Sequence, residues 1–216
     1  MPVIDVAFSD IQAAAARIRP IAKRTPVMTS RGFDAAANIT AFFKCENFQT
    51  GGAFKIRGAS NFIFSIPKRD LPRGVVAYSS GNHAQGVAAA ARLLGMPAVI
   101  VMPADAPRAK RDRTAALGAE IVLYDRDRED RAAIAREICS KRGAVLVPPF
   151  DDPLVIAGQG TAGREICEDL DRLGVKPDIV VVGASGGGLI AGIALAIKSR
   201  APDVRFVSAE PEGFDD

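Results

Sequence analysis

Tryptophan is absent from this 216-residue chain, tyrosine occurs twice, histidine once and cysteine three times. A single histidine with no Cys-x-x-Cys spacing removes the common zinc ligand sets. Cys45, Cys139 and Cys167 are odd in number and far apart, which argues against a disulfide framework and for a reducing compartment. No run of about 18 apolar residues occurs, so no membrane-spanning helix is expected. Met1-Pro2-Val3-Ile4-Asp5 lacks the basic start and apolar stretch of a secretory leader, and a cytoplasmic protein is expected. An excess of one charge is missing too, the net charge being +3. Basic residues alternate with acidic ones in Arg126-Asp127-Arg128-Glu129-Asp130-Arg131, which reads as a solvated helix face and leaves no footprint for nucleic acid.

What is present is a composition with 48% hydrophobic residues, enough for a sizeable core in one large or two small domains. From Arg73 onward, β-branched runs alternate with segments of helical period. The expected strands are Val75 to Tyr78, Ala98 to Met102, Glu120 to Tyr124, Ala144 to Val147, Asp178 to Val182 and Val204 to Ser208. Helices are expected at about 82 to 94, 107 to 117, 127 to 142, 158 to 173 and 187 to 199. This rhythm predicts an α/β fold with mostly parallel sheets covered on both faces. Gly95, Gly118, Gly143 and Gly174 each fall just past a helical stretch, where a left-handed residue closes a helix, and Pro107 falls where one begins. A first helix is expected at Ser9, capped with Gln12. Three prolines between 148 and 153 mark a domain crossing, and a second crossing is placed near Pro67 to Arg73.

Three stretches have the composition of a reactive site. Gly51-Gly52-Ala53-Phe54-Lys55-Ile56 places a lysine between apolar neighbours, where burial lowers an amine's pKa toward imine chemistry; read alone, Lys55 is more simply a surface lysine opening an amphipathic helix. Tyr78-Ser79-Ser80-Gly81-Asn82-His83 passes from strand to helix, and backbone amides with two hydroxyls make an anion site there. His83 reads more simply as a hydrogen-bonded residue of the helix's first turn. Ser185-Gly186-Gly187-Gly188-Leu189 again follows a strand and opens a helix; each glycine lowers helix propensity by about 1 kcal/mol, so something requires bare backbone, and a phosphate is the natural candidate. Two other readings fit this loop. Gly183-x-Ser185-x-Gly187 matches a hydrolase nucleophile elbow, but the only histidine precedes the serine in the chain. Gly186-x-Gly188-x-x-Ala191, with Glu210 after the next strand, matches a loose dinucleotide fingerprint and an NAD-binding oxidoreductase.

Together the stretches resemble the fold-type II pyridoxal-phosphate enzymes, within them the serine/threonine dehydratase and serine racemase group. The resemblance runs from Thr25-Pro26-Val27 through Phe54-Lys55-Ile56-Arg57-Gly58-Ala59, Ser79 to His83, Gly158-Gln159-Gly160-Thr161 and the glycine loop to Glu210-Pro211. It implies that Lys55 forms the Schiff base, Phe54 packs beside the ring, Asn82 bonds the pyridine hydroxyl, and Ser185, Gly186, Gly187, Gly188 and Leu189 hold the phosphate. Ser79, Ser80, Gly81, Asn82 and His83 would bind an amino-acid substrate, with Ser80 as a second catalytic group giving racemase activity beside β-elimination of serine, threonine or 3-hydroxyaspartate. A further implication is a divalent cation, Mg2+ or Mn2+, on Glu210, the Phe214 carbonyl and Asp216. The resemblance also implies a homodimer in which residues 1–73 and 147–216 form a large domain, incomplete at its C-terminal side, and 74–146 a small inserted one. Gly51-Gly52-Ala53 departs from the family's Thr-Gly-Ser, which removes a hydroxyl expected near the substrate. A catalytically silent binding fragment is the alternative to an enzyme.

Overall fold

The computed structural model describes residues 5–213. The chain opens with α1 (Phe8–Ile18), which buries Ile11, Ala14 and Ile18 at helical spacing. Its start differs from the expected Ser9 cap. Ala7 precedes the helix, and the Asp10 carboxylate accepts the Ala7 amide at 2.8 Å while the Asp10 amide returns to the Ala7 carbonyl at 3.0 Å. A carboxylate satisfies a free helix-end amide better than a neutral group does, so Asp10 takes the role assigned to Gln12. Next, β1 (Val27–Met28) and β2 (Phe43–Lys44) pair antiparallel on either side of α2 (Arg31–Ala37), and α3 (Lys55–Ile63) follows.

The first parallel sheet contains β3 (Val75–Tyr78), β4 (Ala98–Pro103), β5 (Glu120–Tyr124) and β6 (Val145–Leu146), in the order β5-β4-β3-β6. Its central strands are covered on both faces, which is why Val75-Val76-Ala77 and Ala98-Val99-Ile100-Val101-Met102 are unbroken apolar runs. One face packs on α4 (Asn82–Leu93), where Val87, Ala88 and Ala91 share a core with Val75, Ala77 and Ile100; α5 (Arg108–Ala116) lies beside α4. The other face packs on α6 (Arg131–Arg142) through Ala135 and Ile138 against Val76, Val99 and Val101. Strand order reverses at β3, with β4 and β5 on one side and β6 on the other. Such a reversal opens a crevice at the carboxyl ends of parallel strands, and this is where the site lies.

A second parallel pair, β7 (Ile179–Gly183) and β8 (Arg205–Ala209), carries α7 (Pro153–Leu173) and α8 (Gly188–Lys198) on one face. Ile179 and Val181 of its other face are exposed among the described residues. The two helices meet backbone to backbone: a Cβ on Gly192 would stand 2.4 Å from the Ile156 carbonyl oxygen and 2.5 Å from the Gly160 amide nitrogen.

Two boundaries correct the sequence reading. α7 begins at Pro153, before the expected 158, because proline suits the first helical position and Asp152 accepts the Leu154 and Val155 amides at 2.8 and 3.2 Å. α6 begins at Arg131, after the expected 127, since Asp130 accepts the Ala132 amide at 2.7 Å and residues 126–128 form a turn. The charged run is therefore not a solvated helix face, and Arg131, its single helical member, has another position. Among the described residues no helix is long and apolar enough to cross a membrane.

The close α7–α8 crossing yields a direct expectation. Gly192→Ala lowers unfolding free energy in urea by about 1–3 kcal/mol, as overpacking does. Gly32→Ala, in α2 with nothing within 4 Å of its added Cβ, raises it by up to about 1 kcal/mol. A neutral Gly192→Ala would contradict the packing described.

Candidate active site

Three stretches far apart in sequence line one cleft of about 400 Å³: Phe54 and Lys55 at the start of α3, Ser79 to His83 between β3 and α4, and Ser185 to Leu189 between β7 and α8. Each ends at a helix N-terminus, and no side chain among the described residues caps α3, α4 or α8. Apart from the Gly188 amide, which donates to the Gly186 carbonyl at 3.0 Å, free amides and the positive ends of three helix dipoles thus face a shared space. The charged side chains agree, because Lys55 and Arg131 line the cleft and no described Asp or Glu does. An enclosure of this kind suits phosphate and carboxylate groups.

The glycine loop shows why bare backbone is needed. A Cβ on Gly186 would lie 2.3 Å from ring carbons of Phe150, and one on Gly188 would lie 2.8 Å from the Phe150 carbonyl oxygen. Gly187 sits ahead of α8 with φ +77°, a conformation that L side chains rarely adopt. The loop is therefore pressed onto Phe150 with its amides unscreened by side chains, which fits a phosphate cradle.

Lys55 is half-buried. Its Nζ donates to the Pro149 carbonyl at 2.8 Å and lies 5.3 and 6.0 Å from the ring centroids of Phe54 and Phe150. Burial lowers its pKa, which enlarges the fraction of neutral, nucleophilic amine. His83 is 3% exposed, and its Nε2 lies 3.2 Å from the Val147 carbonyl, an acceptor, so Nε2 carries the hydrogen. Nδ1 has no partner among the described residues. Burial above all, then the Lys55 charge, pulls the His83 pKa down to about 4 against the opposing pull of the Val147 bond. The imidazole is thus neutral at pH 7, a bonded first-turn residue. Ser79 Oγ accepts the Gly81 amide at 3.1 Å and shapes the turn that presents Ser80 and Asn82 to the cleft.

Sequence reasoning missed four participants. Pro149 and Phe150 read only as a crossing, yet they meet Lys55 and the glycine loop. Arg131 read as surface charge, yet its guanidinium lies 5.4 Å from the Tyr78 ring centroid on the cleft wall. Arg57, fully buried, is held by Glu46 and Glu165 at 2.8 Å each; its only local signal was a position two residues after Lys55. Of the metal set, Glu210 follows β8 and does not line the cleft, while Phe214 and Asp216 lie outside the described residues. Among the described residues no group of three potential metal ligands occurs.

A family model described as pyridoxal-phosphate dependent enzyme matches residues 18–216. The chain is 48% identical to L-threo-3-hydroxyaspartate ammonia-lyase of Pseudomonas sp, over 97% of this chain and 64% of that protein. It is 43% identical to serine racemase of Schizosaccharomyces pombe, again over 97% and 64%. The structure of maize serine racemase superimposes with a TM-score of 0.92 at 44% identity, covering 98% of this chain and 63% of that one. The chain thus spans less than two thirds of the length of these relatives.

Burial of His83 sets a pH dependence. Unfolded, the imidazole takes a proton near pH 6.5; folded, it resists until about pH 4, so the unfolded state binds more protons and stability falls as pH drops through this window. Between pH 7 and 5 the loss is about 2 kcal/mol, a range in which carboxylates contribute little. His83→Gln should flatten urea-derived stability over that range. An unchanged slope would show that the imidazole is accessible to protons.

Proposed function

The chain belongs to the pyridoxal-phosphate-dependent enzyme family and has its fold-type II architecture, and on that premise we propose that the whole protein removes water and ammonia from a β-hydroxy-amino acid to leave a 2-keto acid. One observation carries the reading: tertiary structure brings a half-buried lysine amine into the same cleft as an uncapped, glycine-lined helix start. Lys55 would bond the cofactor aldehyde, with Phe54 beside the ring, Asn82 at the pyridine hydroxyl, and Ser185 with the amides of Gly186 to Leu189 at the phosphate. When bound, the cofactor supplies an electron sink for the charge that develops at the substrate Cα. The family membership supports this role for the loop over the hydrolase and dinucleotide readings.

The side chains divide the remaining work. Burial lowers the Lys55 pKa and so enlarges the neutral fraction of the amine, and as a base it takes the Cα proton. Ser79 to His83, at the uncapped start of α4, bind the substrate carboxylate. Phe54, Phe150 and Leu189 wall off water. Ser80, on the same cleft, is a second proton carrier, which adds racemase activity.

Arg131 favours a dicarboxylic substrate. Besides Lys55 it is the cationic side chain that lines the cleft among the described residues, with Lys110 Nζ 3.5 Å from where a Gly81 Cβ would stand, and serine and threonine have no side-chain charge to offer it. The similarity to an L-threo-3-hydroxyaspartate ammonia-lyase points the same way, so 3-hydroxyaspartate is the preferred substrate of this proposal. The small domain, 74–146, would carry Arg131 and the serine loop against the rest. Three free thiols support a cytoplasmic setting, and the exposed Phe33–Phe43 pair supports a homodimer. A divalent cation on Glu210, Phe214 and Asp216 rests on oxygen donor chemistry alone; an effect of EDTA on melting temperature checks it.

In the full-length protein, Lys55→Ala abolishes both the visible absorption band of bound cofactor and keto-acid release, and a band that survives the substitution sinks the proposal. Arg131→Ala lowers kcat/KM for 3-hydroxyaspartate roughly ten- to hundredfold and leaves serine nearly unaffected. Equal losses on both substrates would remove Arg131 from substrate selection.

A further inference from the structure

The crossing Val147-Pro148-Pro149-Phe150 touches all three walls of the cleft. The Val147 amide donates to the Val76 carbonyl at 2.8 Å, and the Val147 carbonyl meets His83 Nε2, so its first residue is tied to β3 and α4. The Pro149 carbonyl accepts from Lys55. The Phe150 carbonyl accepts the Asp152 amide at 3.2 Å, and Asp152 caps α7. Two prolines in succession fix φ between these anchors. Phe150 has little freedom of its own, whereas the loop it touches holds three consecutive glycines and has much. Behind that loop lies a second hollow of about 310 Å³, lined by Val6, Ile156, Ala191, Leu195 and Phe150. The phosphate-facing backbone therefore runs between two open spaces, with the Phe150 ring against Gly186 and the Phe150 carbonyl against Gly188.

We propose that Phe150 is a positioning residue: its ring props the Ser185 to Gly188 loop at a set height above Lys55, so that the first amides of α8 meet the cofactor's phosphate. The inference rests on the cofactor reading above and adds a residue to it. Removing the ring lets the glycines relax into the space beneath them, and the phosphate loses aligned donors while the Lys55 amine keeps its own anchor on Pro149.

The test compares pyridoxal phosphate with pyridoxal, which lacks the phosphate, by equilibrium titration of the full-length protein, with borohydride trapping to confirm attachment at Lys55. Phe150→Ala is expected to reduce the preference for the phosphorylated compound roughly tenfold or more, while pyridoxal still traps on Lys55. Phe150→Leu retains most of the preference. Gly186→Ala, whose methyl collides with the ring, also reduces it, and reduces it less when combined with Phe150→Ala. Ordinary packing at Phe150 predicts a lower melting temperature with the preference unchanged, and that result overturns the proposal. Should Phe150→Ala not fold, an unchanged preference in Gly186→Ala does the same. Wild-type protein that binds neither compound removes the cofactor reading itself, and this inference with it.

Discussion

A guanidinium with no exposure to solvent stands at the middle of this structure. Arg57 donates to both oxygens of Glu46 and both oxygens of Glu165, to Thr161 Oγ1 at 3.0 Å and to the Lys23 carbonyl at 3.3 Å. Burial alone would weaken its hold on the proton, but the two carboxylates outweigh that and keep its pKa above the usual value. Burial would likewise raise Glu46, and Arg57, Thr25 and Lys44 hold it below the carboxylate range instead. A buried pair of this kind is weak evidence for net stability, yet breaking it by removing one partner costs about 3–5 kcal/mol. What it does firmly is fix geometry. Arg57 lies two residues after Lys55 on α3, Glu165 on α7 and Glu46 in the turn after β2, so three segments share one arrangement in which every charge is met.

The contact between α3 and α7 is close because no side chains intervene. A Cβ on Gly158 would fall 2.6 Å from the Arg57 carbonyl oxygen and 2.6 Å from the Gly58 Cα, and the Gly58 amide donates to Gln159 Oε1 at 3.2 Å. The helix that starts with Lys55 is thus seated backbone against backbone, which sets where the amine emerges. Charge is segregated across that helix. The acids gather on the Arg57 side, and the cleft side holds Lys55 without a carboxylate neighbour, so burial acts on the amine uncompensated and lowers its pKa. One tight ion cluster and one acid-free cleft, placed on opposite sides of α3, together give a lysine suited to carbonyl chemistry.

The suitability of the cleft for an anion has the same economy of means. It comes from helix starts left uncapped, from a strand order that reverses beside β3, and from a glycine loop pressed on Phe150. Few of these donors are side chains with a recognisable identity. The surrounding packing holds backbone amides in place, and Lys55, Ser80, Asn82 and Arg131 are among the residues that line the space.

Much of the local architecture was legible in the residues. The alternation of apolar runs and helical segments placed β3, β4 and β5 with little error, since central parallel strands must be apolar throughout. Gly143 and Gly174 close α6 and α7 at φ +65° and +67°, as their positions after helical stretches implied. Boundaries decided by competing caps were less legible: Asp10 displaced the Ser9 start, Pro153 moved α7 earlier and Asp130 moved α6 later. The sequence by itself determined the element types, the lysine between apolar neighbours and the loop that tolerates no side chain, because propensity, periodicity and backbone freedom are properties of short segments. Only tertiary structure decided that Arg57 is buried, that Arg131 turns to the cleft and that Phe150 lies against the glycine loop. Those outcomes depend on which distant residues supply the compensating charge or occupy the adjoining volume, and no stretch of chain contains that information about its partners.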